Sequence, residues 1–177
     1  MFEKLIKDSN IFYSVSLNAI AIYDHKIYDR SDLDILNGAQ RSFIINKLKS
    51  FGFKLVSGNR LESVEAKMLF PKNAHIASSP LDLIKYTKRK DECLILTPMQ
   101  LFLYLLDEGY KNTNENYIKE SMELVQKMPV NLKKIKDICQ NEPFYVNFLK
   151  KYKIYDQLQV KAIETNLKNK LHIGKML

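Results

Sequence analysis

Glycine and proline are scarce in this chain, five of each among 177 residues, which excludes collagen-like, low-complexity and disordered architectures. Cysteine is scarcer still. Cys93 and Cys139 are too few and too far apart for a disulfide framework or a cysteine-based zinc site, so both are expected to be reduced and packed. His25, His75 and His172 are scattered, and no two fall at the helical spacing of a histidine metal site. There is no apolar run of about 18 residues that could cross a bilayer. The opening segment MFEKLIKDSNIFYS has neither the long apolar core nor the small-residue cleavage site of a secretory leader. A cytoplasmic protein without a membrane partner is the expectation. Internal repeats, a GxxxxGKS phosphate loop, a GxGxxG fingerprint, a GxSxG elbow, an HExxH helix and an EF-hand loop are all missing, which argues against the nucleotide, hydrolase and metal sites that those motifs build.

What is present is enough to fold. Apolar residues make up 46% of a 20.7 kDa chain, so it can bury a real core as one ordinary domain or one with a helical extension. Lysine and arginine number 28 against 20 acidic residues, a net charge of +8. Such a surplus raises the odds of a polyanionic partner such as RNA, DNA or a nucleotide. The surplus gathers at the tail: residues 150–177 hold seven lysines against Asp156 and Glu164, whereas the first 50 residues hold seven basic and six acidic side chains. A solvated terminal helix would account for the same run of charge.

Phe2 to Lys7 reads as a short helical lead. Phe12, Val15, Ala19 and Ile22 then recur at the spacing of one helix face. In KIYDRSDLDIL, Leu33 and Ile35 alternate with Asp32 and Asp34 in the period of a strand, so both carboxylates share one face. AQRSFIINKLKS predicts a helix with Phe43, Ile44 and Leu48 inward, stopped near Gly52. FKLVS is a second strand candidate, and the alternation of Val64, Ala66, Met68 and Phe70 a third, ended by Pro71. PLDLIKY alternates again and turns Asp82 away from Leu81 and Leu83. From Thr97 the period becomes helical, with Thr97 as cap, Pro98 at the first position and Leu101, Tyr104 and Leu105 on the inner side. Further helices are predicted at about 114–127, 131–140, 143–151 and 155–171, punctuated by Pro129 and Pro143. The fold class is therefore α+β, with a small mixed sheet and flanking helices in the N-terminal half and a helical C-terminal half. The expected division is an α+β unit over 1–95 and a helical region over 96–177, packed on it or on a second subunit.

The acidic strand carries the functional expectation. Asp32 and Asp34 project from one face about 7 Å apart along the strand, a donor pair suited to Mg²⁺. A third carboxylate on a neighbouring strand, for which Asp82 is the candidate, would complete a two-metal site for in-line phosphoryl transfer. The order of a first helix, the Asp-Leu-Asp-Ile strand, an amphipathic helix ending in Gly-Phe, further strands with an aspartate and then a helical bundle resembles the DNA polymerase beta-like nucleotidyltransferase superfamily. Its small minimal and toxin–antitoxin members are the nearest in pattern. The resemblance covers roughly residues 10 to 110 and is carried by SVSLNAIAIYDHKIYDRSDLDIL, with thirteen residues between Asn18 and Asp32, and by SSPLDLIKYTKRKDECLILTPMQLFLYLL.

That resemblance implies catalysis by Asp32, Asp34 and Asp82, with Mg²⁺ on Asp32 and Asp34, and transfer of a nucleotide from a triphosphate to a hydroxyl or an RNA end. It also implies nucleotide contacts near Ser16, Asn18 and Arg30. Leu17 and Asn18 stand where the family carries Gly-Gly or Gly-Ser, the turn that lets backbone N–H groups approach the triphosphate. Arg30 can equally pair with Asp29 or Asp32. Lys85, Lys88, Arg89 and Lys90 form a basic cluster beside the expected site, suited to a nucleic-acid backbone or to keeping a sheet edge soluble. Phe144, Tyr145, Phe148, Tyr152 and Tyr155 mix with lysines, but their helical spacing favours core or dimer packing over base stacking. A homodimer through the C-terminal helices is one expectation. The other readings are a catalytically silent member of the same fold, and a non-enzymatic α+β interaction or nucleic-acid-binding protein of accessory or mobile-element origin.

Overall fold

The computed structural model describes residues 2–23, 38–71 and 92–174, with residues 2 and 166–174 as backbone. A short helix α1 (Phe2–Ile6) leads into strands β1 (Ile11–Ser14) and β2 (Ala19–Ile22). Helix α2 (Gly38–Ser50) is followed by β3 (Lys54–Ser57), β4 (Arg60–Glu62), β5 (Lys67–Leu69) and β6 (Glu92–Leu96). The remainder is helical: α3 (Pro98–Leu106) running into a π-helical turn Asp107–Lys111, then α4 (Glu115–Lys127), α5 (Leu132–Cys139), a 3₁₀ turn Pro143–Tyr145 and α6 (Val146–Gly174). The described strands form one mixed sheet in the order β1-β2-β6-β5-β4-β3. β6 runs parallel to both β2 and β5, and the other pairings are antiparallel. The architecture is α+β, with the sheet early and the helices late.

The sheet is covered on both sides. Ile11, Ile20, Ile22, Met68, Cys93 and Ile95 face a core shared with Leu5 of α1 and Ile44 and Leu48 of α2. Phe12, Ala19, Ala21, Leu94 and Leu96 face the other way, into a core built with α3 to α6. The helical half therefore rests directly on the sheet. A strand buried on both faces needs apolar residues on both, so AIAI and ECLIL read as apolar runs without alternation.

This explains two departures from the expected elements. The segment from Phe12 to Ile22 is a β-hairpin: of the residues that would share one helix face, Phe12 and Ala19 enter one core, Ile22 the other, and Val15 is exposed in the turn. β6 does not stand out in the sequence at all. Two smaller corrections follow the same logic. Val64 is fully exposed in the β4–β5 turn and starts no strand. The helices expected at 143–151 and 155–171 are one helix, because Phe148, Tyr152 and Tyr155 continue a single inner stripe with neither glycine nor proline to interrupt it.

The helices expected around α2 to α5 are present, and the strands expected at 26–36 and 80–86 lie outside the described residues. Gly52, after α2, takes φ 82°, a left-handed conformation that ends helices at little cost in glycine. Thr97 caps α3 reciprocally: its hydroxyl accepts from Gln100 N at 3.0 Å, and Gln100 Oε1 accepts from Thr97 N at 2.9 Å, with Pro98 opening the helix. Substituting Thr97→Ala is expected to cost about 1–2 kcal/mol, read as a lower denaturation midpoint at unchanged m-value. At the other end of α3 the helix widens into the π turn, where Tyr145 donates to Asp107 Oδ1 at 2.9 Å and Lys111 pairs with Asp107 at 2.8 Å. Gly109 lies so close to α4 that a Cβ there would stand 2.9 Å from Ile118 Cγ1, so this contact needs glycine.

Candidate functional site

The β1–β2 turn is the part of the expected nucleotide site that lies among the described residues. Val15 to Asn18 close it, with Asn18 N–H donating to Val15 O at 3.3 Å and Asn18 at φ 49°. Asparagine tolerates that left-handed conformation better than most residues. Its side chain is held from both ends: Tyr13 Oη donates to Asn18 Oδ1 at 3.0 Å, and Asn18 Nδ2 donates to Glu92 O at 3.0 Å. The turn is thus tied to β6 by side chain as well as by backbone, since Leu94 N–H donates to Asn18 O at 3.0 Å.

Three donors of this turn converge on one carboxylate from α4. Ser14 Oγ donates to Glu120 Oε2 in a short bond, while Ser16 N–H (3.0 Å) and Ser16 Oγ (2.8 Å) donate to Glu120 Oε1. Ser14 Oγ also accepts from Leu17 N–H at 3.1 Å, and Tyr117 Oη donates to Ser16 O at 3.3 Å. The Tyr117 hydroxyl is raised above the ordinary phenol value by burial and by the carboxylates of Glu108 and Glu120, so it remains a donor at neutral pH. A backbone N–H and two hydroxyls arranged around an anion form the kind of cradle that holds a phosphate oxygen. Here the anion is the chain's own Glu120.

Ser16 and Asn18 lie in this one turn, and both are engaged with protein partners. Asp32, Asp34, Asp82, Arg30, Lys85, Lys88, Arg89 and Lys90 lie outside the described residues. Glu120 and Tyr117 were not legible as part of this site, because more than a hundred residues separate them from the turn and no local pattern marks such a contact. Among the described residues, no cluster of three or more His, Cys, Asp or Glu is placed to hold a metal ion. No described helix is long and apolar enough to cross a membrane.

Both thiols are buried. Desolvation pushes Cys93 up to about 12, and burial, with a contribution from Glu142, pushes Cys139 up to about 12. The thiolate is the reactive form, so native protein at pH 8 is expected to resist iodoacetamide and to react at both cysteines once denatured. The folded state holds these protons more tightly than the unfolded state, so their contribution to stability is present below the unfolded thiol range and falls as pH rises toward 12. No protein-family model, curated protein or solved structure matches the chain.

Proposed function

We propose that this chain is a nucleotidyltransferase-like α+β protein that has given up nucleotide transfer and acts in the cytoplasm as a nucleic-acid-binding protein, with self-association through its last helix. The observation that carries this reading is the Glu120 carboxylate seated on Ser14 and Ser16. A triphosphate approaching that turn would have to displace a negative charge already satisfied by three donors. The carboxylate's like charge would repel it.

Charge supports the binding half of the reading. The stretch 38–71, from α2 through β5, carries Arg41, Lys47, Lys49, Lys54, Arg60 and Lys67 against Glu62 and Glu65. The basic cluster Lys85, Lys88, Arg89 and Lys90 follows in the same half of the chain. Arg41 is fixed by a hydrogen bond to Gly58 O at 2.6 Å and by stacking over the Phe70 ring. Each lysine or arginine that neutralises a phosphate releases counterions, which makes binding strongly salt-dependent.

Fluorescence anisotropy with single-stranded RNA distinguishes this from transfer chemistry. With three phosphate contacts, affinity is expected to fall about 20-fold between 50 and 200 mM salt, with no change in Asp32→Ala or Asp34→Ala. Triphosphates with Mg²⁺ or Mn²⁺ are expected to leave the melting temperature unmoved. A melting-temperature rise that disappears in Asp32→Ala or Asp34→Ala would instead establish the transferase reading, with those aspartates on Mg²⁺ and Asp82 positioning the acceptor.

A further inference from the structure

The donors that hold Glu120 are kept in place by bonds in which Glu120 takes no part. Asn18 N–H closes the β1–β2 turn on Val15 O, and the Asn18 side chain is fixed between Tyr13 Oη and Glu92 O. Leu94 N–H ties the Asn18 carbonyl to β6 at 3.0 Å. Ser14 is completely buried, and its Oγ accepts from Leu17 N–H at 3.1 Å, which leaves its own proton to be donated. Ser16 turns its N–H and its hydroxyl toward one and the same oxygen, at 3.0 and 2.8 Å. The three donors converge through the hairpin's own bonding, and α4 supplies only the anion that they hold.

We infer that this turn is a carboxylate-binding site in its own right, shut in the native chain by an internal ligand, Glu120, and open to a carboxylate from solution once that side chain is removed. The inference rests on the reading above only in taking Glu120 as the occupant of the turn. The donors name the ligand class. Ser14 donates to one carboxylate oxygen and Ser16 to the other, so the set matches an anion that spreads one charge over two oxygens. All three donors are uncharged. Among the described residues, the charges that raise the Tyr117 hydroxyl beside Ser16 are the carboxylates of Glu108 and Glu120. With Glu120 gone, Glu108 still keeps the local field negative, which disfavours the second charge of a phosphate.

Access and shielding favour the same ligand. Ser16 and Glu120 are each partly exposed, so a small anion reaches the donors from solvent when the glutamate side chain is absent. Ser14, completely buried, is kept from competing water, and a hydrogen bond to an anion is stronger in such surroundings than in solvent.

Replacing the side chain by a free carboxylate tests the site. In Glu120→Ala, acetate at about ten times its dissociation constant is expected to raise the melting temperature by about 4 °C over chloride of equal ionic strength. The Ser16 amide resonance is expected to move along the same saturation curve. Wild type, with Glu120 in place, is expected to show neither change, and Glu120→Ala combined with Ser16→Ala to lose both. Should Glu120→Ala be unfolded at room temperature, the same titration is read as recovery of its circular dichroism. A blocked glutamate, N-acetylglutamic acid α-amide, separates two sources of the group: tighter binding than acetate identifies the acidic side chain of a peptide, and equal or weaker binding a free organic acid. No response to acetate in the variant, an equal response in wild type, or tighter binding of inorganic phosphate than of acetate overturns the inference and leaves the loss of nucleotide transfer standing. A triphosphate that raises the melting temperature of wild type overturns that loss instead, while the acetate titration of Glu120→Ala still decides the carboxylate site.

Discussion

Phe148→Ala is expected to destabilise the protein by about 3–5 kcal/mol, a fall in melting temperature on the order of 10 °C for a chain of this size. Phe148 is completely buried and stands at the centre of an aromatic cluster. Its ring meets Phe102 at 6.2 Å, Tyr110 at 6.1 Å, Tyr152 at 6.3 Å and Tyr155 at 5.3 Å between centroids, all edge to face. Those four rings come from α3, the π turn and α6 itself, so the cavity left by alanine would open at the junction of separate elements and could not be closed by one side chain shifting. Tyr155 also holds a polar spine: its hydroxyl lies 2.8 Å from Ser121 Oγ and 3.3 Å from Tyr110 Oη, and Ser121 Oγ donates to Ile118 O at 2.7 Å. Thermal or urea denaturation reads the change directly. A loss below about 1 kcal/mol would show that the cluster does not carry the helical core.

Glu120→Ala is expected to cost about 1–3 kcal/mol, more than its partial exposure on α4 would suggest. The carboxylate ties the hairpin turn to the helical half, and Ser14 is completely buried. Without Glu120 its hydroxyl loses its acceptor in a place water reaches poorly, and Ser16 loses the partner of both its hydroxyl and its N–H. Glu120→Gln keeps one carbonyl oxygen for Ser16 and is expected to recover about half of the loss. Hydrogen exchange adds a local readout, since protection of the Ser16 amide should drop in Glu120→Ala and stay nearer wild type in Glu120→Gln. An alanine variant as stable as the wild type would mean that the carboxylate is incidental to the fold. It would also remove the main support for a closed phosphate turn.

Legibility in the sequence followed how each element is buried. α2 buries one stripe, so Ile44 with Leu48 announced it by spacing, whereas α4 and α5 were expected from the helical period that begins at Thr97 and from the punctuation of Pro129 and Pro143. Thr97-Pro98 announced α3 by local capping chemistry. β1, β2 and β6 bury both faces and lose the period that would mark them. β3 has the opposite difficulty, being an edge strand exposed along its whole length, so no buried face marks it. Within the candidate site, Ser16 and Asn18 were singled out only through the family resemblance, on a segment expected to be a helix face, and neither the hairpin turn that holds them nor its occupant was legible.

Sequence alone determined that the chain folds, that it is α+β with helices gathered late, that it carries a basic surplus, and where most of the helices begin and end. These are properties of composition, of periodicity within a dozen residues and of hydrogen bonds between near neighbours. Only the tertiary structure decided that residues 12–22 form a hairpin, that Glu120 fills the turn at Ser14 and Ser16, and that the outer side of α6 is left uncovered. Each of these depends on which distant segments meet, and a contact across a hundred residues leaves no period in the chain from which to read it.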